Sequence, residues 1–248
     1  MSIAVPPLHL LVVAGGRGLR AAGGGEVPKQ FRPTGRGMLL RVAIDTFLGF
    51  AGVDGADDAD GRAVARPVSV TVTAPAAWHR QVQAELAELG VPLALADAGD
   101  SRTASTWRGL LALEAAFAPG AGDLVAIHDA ARPFATAALL GRLAVAAAQR
   151  GGAVPGVPVP DTVVRSGQGR AHYLARETLL AVQTPQVFRW DRLREAHAWA
   201  AAACRSFTDD GGLLAARGHD PAVVEGETGN WKITTESDWR RAADLLAE

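Results

Sequence analysis

A chain of 248 residues can bury one large α/β core, and its 48% hydrophobic and 21% charged residues are ordinary for a soluble globular protein. A formal net charge of −1 excludes the basic excess that gives a general grip on nucleic acid. The single cysteine, Cys204, excludes an intrachain disulfide, and no apolar run is long enough to cross a bilayer.

The N-terminus MSIAVPPLHLL has neither a basic n-region nor an h-region. The expectation is a cytoplasmic protein with no nucleic-acid or membrane partner. No Cys/His spacing reads as a metal site. One detail of the charge is unusual. Of the 25 basic residues only Lys29 and Lys232 are lysines. Lysine is a compact point charge on a flexible stem and arginine a planar fork, so two retained lysines are site candidates.

In chain order, the apolar run Leu8, Leu10, Leu11, Val12 and Val13 predicts a buried first strand. It opens into Ala14, Gly15, Gly16, Arg17, Gly18 and Arg20, followed by Pro28-Lys29-Gln30. Glycines behind a buried strand let the backbone approach a ligand closely. Backbone N–H groups there can converge on phosphate oxygens, with arginine and lysine adding full charge. Only the first half of a G-x-G-x-x-G pattern is present, and no G-x-x-x-x-G-K-[ST] exists, so neither a Rossmann dinucleotide site nor a P-loop fits. An ordinary strand-to-helix turn with surface arginines fits the glycines about equally well.

Met38–Phe50 has helical spacing, and residues 51–67 read as a polar, acidic surface loop. Val68–Ala74 is a β-branched second strand, Trp78–Leu89 an amphipathic helix and Val91–Ala96 a third strand. Gly99 and Asp100 fall where that strand hands over to a helix running to Phe117, the usual ligand edge of an open parallel sheet. Ser101 or Thr103 is the expected N-cap, and Ser105 lies one turn in.

Asp123–His128 is almost wholly apolar, hence a central fourth strand, and it runs into Asp129-Ala130-Ala131-Arg132-Pro133. A carboxylate at the end of a central strand is costly unless paired, hydrogen-bonded or metal-bound. Asp129 is therefore a candidate Mg²⁺ ligand; a capping aspartate paired with Arg132 is the structural alternative. His128 reads as a packing or hydrogen-bonding residue.

Leu139–Gln149 is a further helix and Gly152–Pro158 a further strand. Two short β-like runs around Ser166-Gly167-Gln168-Gly169 predict a hairpin within residues 161–176. Such a piece buries little by itself, so a second subunit is the expected partner. Val182–Phe188 resumes the sheet, and Asp191–Ala203 is a helix. Thr208-Asp209-Asp210 opens another helix. Val223–Glu225 and Asn230–Ile233 read as late strands, and Thr235 with Asp238 forms a capping box for the last helix. Strands alternate with helices throughout, which predicts a single α/β domain over residues 1–248 with helices on both faces of one sheet.

Several of these motifs occur together and in order: AGGRGLR at 14–20, PKQ at 28–30, Gly99-Asp100, HDAARP at 128–133, Asp161-Thr162, TPQ at 184–186, Thr208-Asp209 and Lys232. From about residue 8 to 240 the chain resembles the 2-C-methyl-D-erythritol 4-phosphate cytidylyltransferases, with the D-ribitol-5-phosphate cytidylyltransferases as close cousins. The resemblance implies a Rossmann-like nucleotidyltransferase sheet, mostly parallel, with a protruding β-hairpin arm at about 158–178. It implies Mg²⁺, CTP as co-substrate and a homodimer joined through the arm.

Carried over by position, Ala14, Gly15, Gly16, Arg17 and Gly18 would wrap the CTP phosphates, and Gly99, Asp100 and Ser105 would recognise cytosine and ribose. Asp129 would hold Mg²⁺ near the polyol phosphate, beside Ala130 and Arg132. Thr162 and Arg176 would reach the acceptor in the partner's site, while Thr184 and Thr208 would line the acceptor pocket. Arg20, Lys29 and Lys232 would be the catalytic cations. In this reading an acceptor phosphate oxygen attacks the α-phosphorus of CTP, a task of holding anions together rather than of strong base catalysis. The chain departs from the family pattern at Gly15, at Gly211-Gly212 and in the longer 51–67 segment. A nucleotidyltransferase using another base, or an inactive nucleotide-binding protein of the same fold, are the competing readings.

Overall fold

The computed structural model describes residues 5–16, 27–49, 66–167 and 169–247. The strands are β1 (Leu8–Val13), β2 (Pro33–Thr34), β3 (Gly37–Met38), β4 (Pro67–Ala74), β5 (Leu93–Asp97), β6 (Leu124–Asp129), β7 (Gly152–Pro158), β8 (Val164–Gly167), β9 (Arg170–Tyr173), β10 (Leu180–Val182), β11 (Gln186–Arg189) and β12 (Ala222–Glu225). The helices are α1 (Leu39–Leu48), α2 (His79–Glu85), α3 (Arg102–Phe117), α4 (Ala137–Arg150), α5 (Trp190–Ala202), α6 (Asp210–Ala215) and α7 (Glu236–Leu246).

Eight strands form the main sheet in the order β10-β7-β11-β6-β1-β4-β5, with β12 beside β7. The half that begins the chain is parallel: β1 pairs with β4 and β6, and β4 with β5. Strand β11 enters antiparallel between β6 and β7. Residues 182–188, expected as one strand, fall into two strands, β10 pairing with β7 and β11 with both β7 and β6, with Gln183-Thr184-Pro185 between them. Residues 230–233, expected as a strand, form no ladder; isolated bonds, among them Ile233 N to the Ala131 carbonyl and Asn230 Nδ2 to the Thr184 carbonyl, tie them down.

Strand alternation divides the core in two. Leu8, Leu10 and Val12 of β1, with Leu124 and Ala126 of β6, face α1, α2 and α4. Leu11 of β1, with Val125 and Ile127 of β6, faces α3, α5 and α6. Strand β6 is buried on both faces over its whole length, the reason its sequence reads as a continuous apolar run. Each fully buried leucine contributes about 1.5–3 kcal/mol through removal of its surface from water.

A third cluster joins α7 to α1 through Leu39, Val42, Ile233, Ala242 and Leu246. Thr235 caps α7, and its partner Asp238 completes the capping box. Strands β8 and β9 form a separate two-stranded ribbon in which every residue is exposed. Among the described residues, no helix is long and apolar enough to cross a membrane.

Candidate active site

Strands β1, β4, β5 and β6 run parallel, so their carboxyl ends share one edge of the sheet. The chain leaves β1 toward β4 and β5 on one side and returns to place β6 on the other. Such a reversal opens a crevice at the carboxyl edge, where neighbouring connections diverge. A cleft of about 580 Å³ lies there, lined by the segments that follow β1, β5 and β6 together with Lys29, Gln30, Lys232 and Thr234.

The first wall is Ala14-Gly15-Gly16. Buried Gln30 clamps it from below, donating Nε2 to the carbonyls of Ala14 (2.8 Å) and Gly16 (2.7 Å). Buried Phe31, stacked on Trp78 with ring centroids 4.5 Å apart, anchors the next position. Lys29 is thus presented at the cleft by two buried neighbours, and its ammonium also donates to the Ile233 carbonyl.

Close packing makes glycine necessary at two points. A Cβ on Gly15 would lie 2.6 Å from Ala98 Cβ, and one on Gly99 would lie 2.6 Å from Ala104 Cβ. Gly15 therefore lets the segment after β1 close on Ala98, and Gly99 lets its turn close on the first turn of α3, more tightly than a side chain would allow. Ser105, behind them, accepts from Gly99 N (3.0 Å) and donates to the Ser101 carbonyl (2.9 Å), bracing the turn that Ser101 caps.

The floor is a chain of paired charges. Asp129, 9% exposed at the end of β6, accepts from Lys232 Nζ at 2.5 Å and from Arg102 Nε at 3.2 Å. Arg102 Nη1 in turn donates to Asp210 at 2.6 Å, and Asp210 meets His197 Nε2 at 2.9 Å. Burial works to raise the Asp129 carboxyl, but the charges of Arg102 and Lys232 outweigh it and hold it well below the usual carboxylate range. Burial likewise opposes ionisation of Asp210, and Arg102 with His197 overcomes it.

Beneath Asp129, its backbone N–H donates to Thr184 Oγ1 (3.0 Å), which sits 3.2 Å from His128 Nδ1. His128 Nε2 donates to the Arg132 carbonyl (2.9 Å). Burial pushes this imidazole down to about 4, so it is neutral at pH 7.

Ten expected site residues meet in the cleft: Ala14, Gly15, Gly16, Lys29, Gly99, Asp100, Ser105, Asp129, Ala130 and Lys232. Others do not line it. Arg132 donates Nη1 to the Asn230 carbonyl (2.7 Å), and Asp129 pairs with Arg102 and Lys232 instead of with Arg132, the structural alternative for that carboxylate. Thr184 is buried under the floor with its hydroxyl engaged, and Thr208 is exposed in the turn before α6. Thr162 and Arg176 lie on the exposed arm, where Arg176 Nη1 closes the base by donating to the Pro160 carbonyl (2.6 Å). Arg17, Gly18 and Arg20 lie outside the described residues.

Sequence reading missed Arg102, Ser101 and Thr234 as cleft residues. For Arg102 the available signal was its place three residues after Gly99, at the mouth of a strand-to-helix turn. Its being one arginine among many hid it.

A parallel sheet with a glycine-walled cleft at its switch point, two lysines and a paired carboxylate defines a nucleotide-binding α/β protein suited to anionic substrates. Comparison makes the assignment specific. Residues 8–248 match the model of the family described as IspD: 2-C-methyl-D-erythritol 4-phosphate cytidylyltransferase, and the chain belongs to that family.

It is similar to a bifunctional enzyme IspD/IspF of Anaeromyxobacter dehalogenans, 37% identical over 95% of this chain. The chain spans 56% of that relative, about half the length of the first curated relatives it matches. It is also similar to the 2-C-methyl-D-erythritol 4-phosphate cytidylyltransferase of Gloeobacter violaceus, 35% identical, with 96% of each chain covered. Among solved structures, the 2-C-methyl-D-erythritol 4-phosphate cytidylyltransferase of Thermus thermophilus superposes with a TM-score of 0.73 at 31% identity. That match covers 98% of this chain and all of the other.

Proposed function

We propose that this chain transfers the cytidylyl group of CTP to 2-C-methyl-D-erythritol 4-phosphate, giving 4-diphosphocytidyl-2-C-methyl-D-erythritol and pyrophosphate. Family membership over residues 8–248 carries the reading, and the cleft supports it with a donor set matched to polyanions. In the transfer, an oxygen of the acceptor phosphate bonds to the α-phosphorus of CTP as the bond to the β-phosphate oxygen breaks. A phosphate monoester is already anionic near neutral pH, so a strong general base is not required. What the protein must supply is alignment and positive charge where negative charge develops.

Lys29 and Lys232, both lining the cleft, supply that charge, and Gly15 and Gly16 admit the triphosphate against the backbone. Lys232 turns from Asp129 to the phosphates for this purpose. Gly99 and Asp100 lie at the wall where the base and ribose would rest.

Among the described residues, no cluster of three or more His, Cys, Asp and Glu could cage a metal ion. Mg²⁺ does not require one: it is commonly held by one or two carboxylates plus substrate phosphates and waters. Asp129, the carboxylate on the floor, fits as its protein ligand. Bound there, Mg²⁺ would neutralise charge on the departing pyrophosphate. The exposed arm is proposed to join two copies of the chain and to bring Thr162 and Arg176 to the neighbour's acceptor phosphate.

The test is pyrophosphate release with CTP and Mg²⁺, comparing methylerythritol 4-phosphate with ribitol 5-phosphate. Release with the first acceptor supports the proposal. Preference for ribitol 5-phosphate would keep the chemistry and overturn the acceptor, and no release with either would overturn the transfer.

A further inference from the structure

Lys232 and Arg102 hold opposite sides of one carboxylate, and they are themselves held very differently. Lys232 sits in a segment without a ladder, its side chain is 40% exposed, and its stem is flexible. The Arg102 side chain is half as exposed and starts the first turn of α3. Its guanidinium is pinned from behind by Asp210, whose side chain is only 2% exposed. Asp210 is fixed by His197 and by its own N–H, which donates to Gln186 Oε1 at 3.2 Å. Gln186 also donates Nε2 to Asp209 at 2.8 Å, so the start of α6 is locked to β11. Arg102 is the fixed cation and Lys232 the movable one.

This asymmetry matters because Asp129 cannot be left alone. A buried carboxylate deprived of its partners is strongly unfavourable. If Lys232 were the sole protein partner, drawing it to a phosphate would leave Asp129 with no side chain to hold it in place for the metal ion, and the ion pair would compete directly with substrate. We propose that Arg102 is a positioning residue for the transfer: it keeps Asp129 paired and in place when Lys232 leaves it for the substrate phosphates. The inference rests on the function proposed above. Through Asp210 it also makes the start of α6 part of the support of the cleft floor, although α6 contributes no lining residue.

The chain's two lysines make the test direct. In protein labelled with ¹⁵N-lysine, the side-chain ammonium signals of Lys29 and Lys232 can be followed separately, with Lys29→Arg giving the assignment. In the wild type, CTP with Mg²⁺ should move the Lys232 signal as the ammonium exchanges Asp129 for phosphate. In Arg102→Lys a single ammonium cannot bridge Asp129 and Asp210, so Lys232 should stay on Asp129 and its signal should shift far less.

The same variant should lose kcat by about 10- to 100-fold, the usual cost of removing a supporting partner. KM for CTP should rise by less than kcat falls, since Gly15, Gly16 and Lys29 still line the cleft. Arg102→Gln should lose more, and Arg102→Lys keeps the question answerable if the glutamine variant does not fold. A purely structural role predicts a lower unfolding temperature with wild-type kcat per folded molecule and a wild-type Lys232 shift; that result overturns the proposal. If CTP shifts neither lysine in the wild type, the reading of the cleft fails and this inference falls with it. If CTP shifts Lys232 equally in wild type and variant, Arg102 alone is wrongly assigned.

Discussion

The cleft floor and the hairpin arm solve opposite problems. At the floor, Asp129, Arg102, Asp210 and His197 are taken out of water and paired with one another inside a single chain. On the arm, β8 and β9 share a backbone ladder and little else, and apolar groups stay in solvent: Tyr173 is 74% exposed and Val164 42%. The sheet edge beneath it behaves likewise, with Leu180, Val182 and Val223 all exposed. The floor is complete within its own chain, whereas the arm orders its backbone on a surface that buries nothing. Such a ribbon is marginal alone, and a neighbouring subunit would bury it.

Variants can test how far this contrast holds. The largest expected effect is at the cleft: Lys29→Ala should cut turnover by about 10²- to 10³-fold, as for loss of one transition-state donor. Its unfolding temperature should move little, because its neighbours Gln30 and Phe31 carry the packing. Turnover near wild type would remove Lys29 from the machinery.

Next, replacing residues 163–174 by a short turn should leave the main sheet folded while halving the mass in solution and lowering turnover at least about tenfold, the scale of a lost positioning element. Unchanged mass by light scattering would separate the arm from dimerisation. Arg176→Ala should give a milder form, raising KM for the acceptor with folding intact.

At the wall, Gly99→Ala places a Cβ 2.8 Å from the Ala104 backbone carbonyl carbon and 2.9 Å from Ser105 N. Overpacking of this kind costs about 1–3 kcal/mol. Urea unfolding and CTP binding should both weaken; if only stability changes, the wall is structural and not part of the nucleotide site.

The smallest effect is at α7. Slight burial works to raise the Asp238 carboxyl, but the amides and hydroxyls of Thr234 and Thr235 hold it down to about 2. A depressed carboxylate contributes stability that is fully present above its unfolded value near 4 and lost as pH falls through about 2. Asp238→Asn should therefore flatten acid unfolding in that window and cost about 1 kcal/mol or less at pH 7. An unchanged acid limb would show that α7 is held by Leu246 and Ala242 alone.

Some of the site was readable because its chemistry is local. Glycines behind a buried strand, a carboxylate at the end of an apolar strand and two lysines in an arginine-rich chain each carry their meaning in neighbouring residues. The apolar run of Leu8 and Leu10–Val13 and the Thr235–Asp238 capping box were legible for the same reason.

The remainder depends on contacts between residues far apart in the chain. Its place after Gly99 is the one local mark Arg102 carries, and its role comes from Asp129 and Asp210, 27 and 108 positions away. Thr184 reads as a pocket hydroxyl, yet the antiparallel entry of β11 beside β6 turns it under the floor toward His128. Residues 230–233 have the composition of a strand, but they join no ladder among the described residues and serve as the support that presents Lys232.

By itself, then, the sequence determined the alternation of strands and helices, the two faces of the sheet and the residue types offered at its carboxyl edge, since these follow from periodicity and local backbone preference. Only the tertiary structure decided which cation pairs with Asp129, which hydroxyls are engaged inside and which residues reach the cleft. Those choices are set by desolvation: a buried charge must take whichever partner the packed chain brings to it, and that partner is chosen by the fold and not by its sequence neighbours.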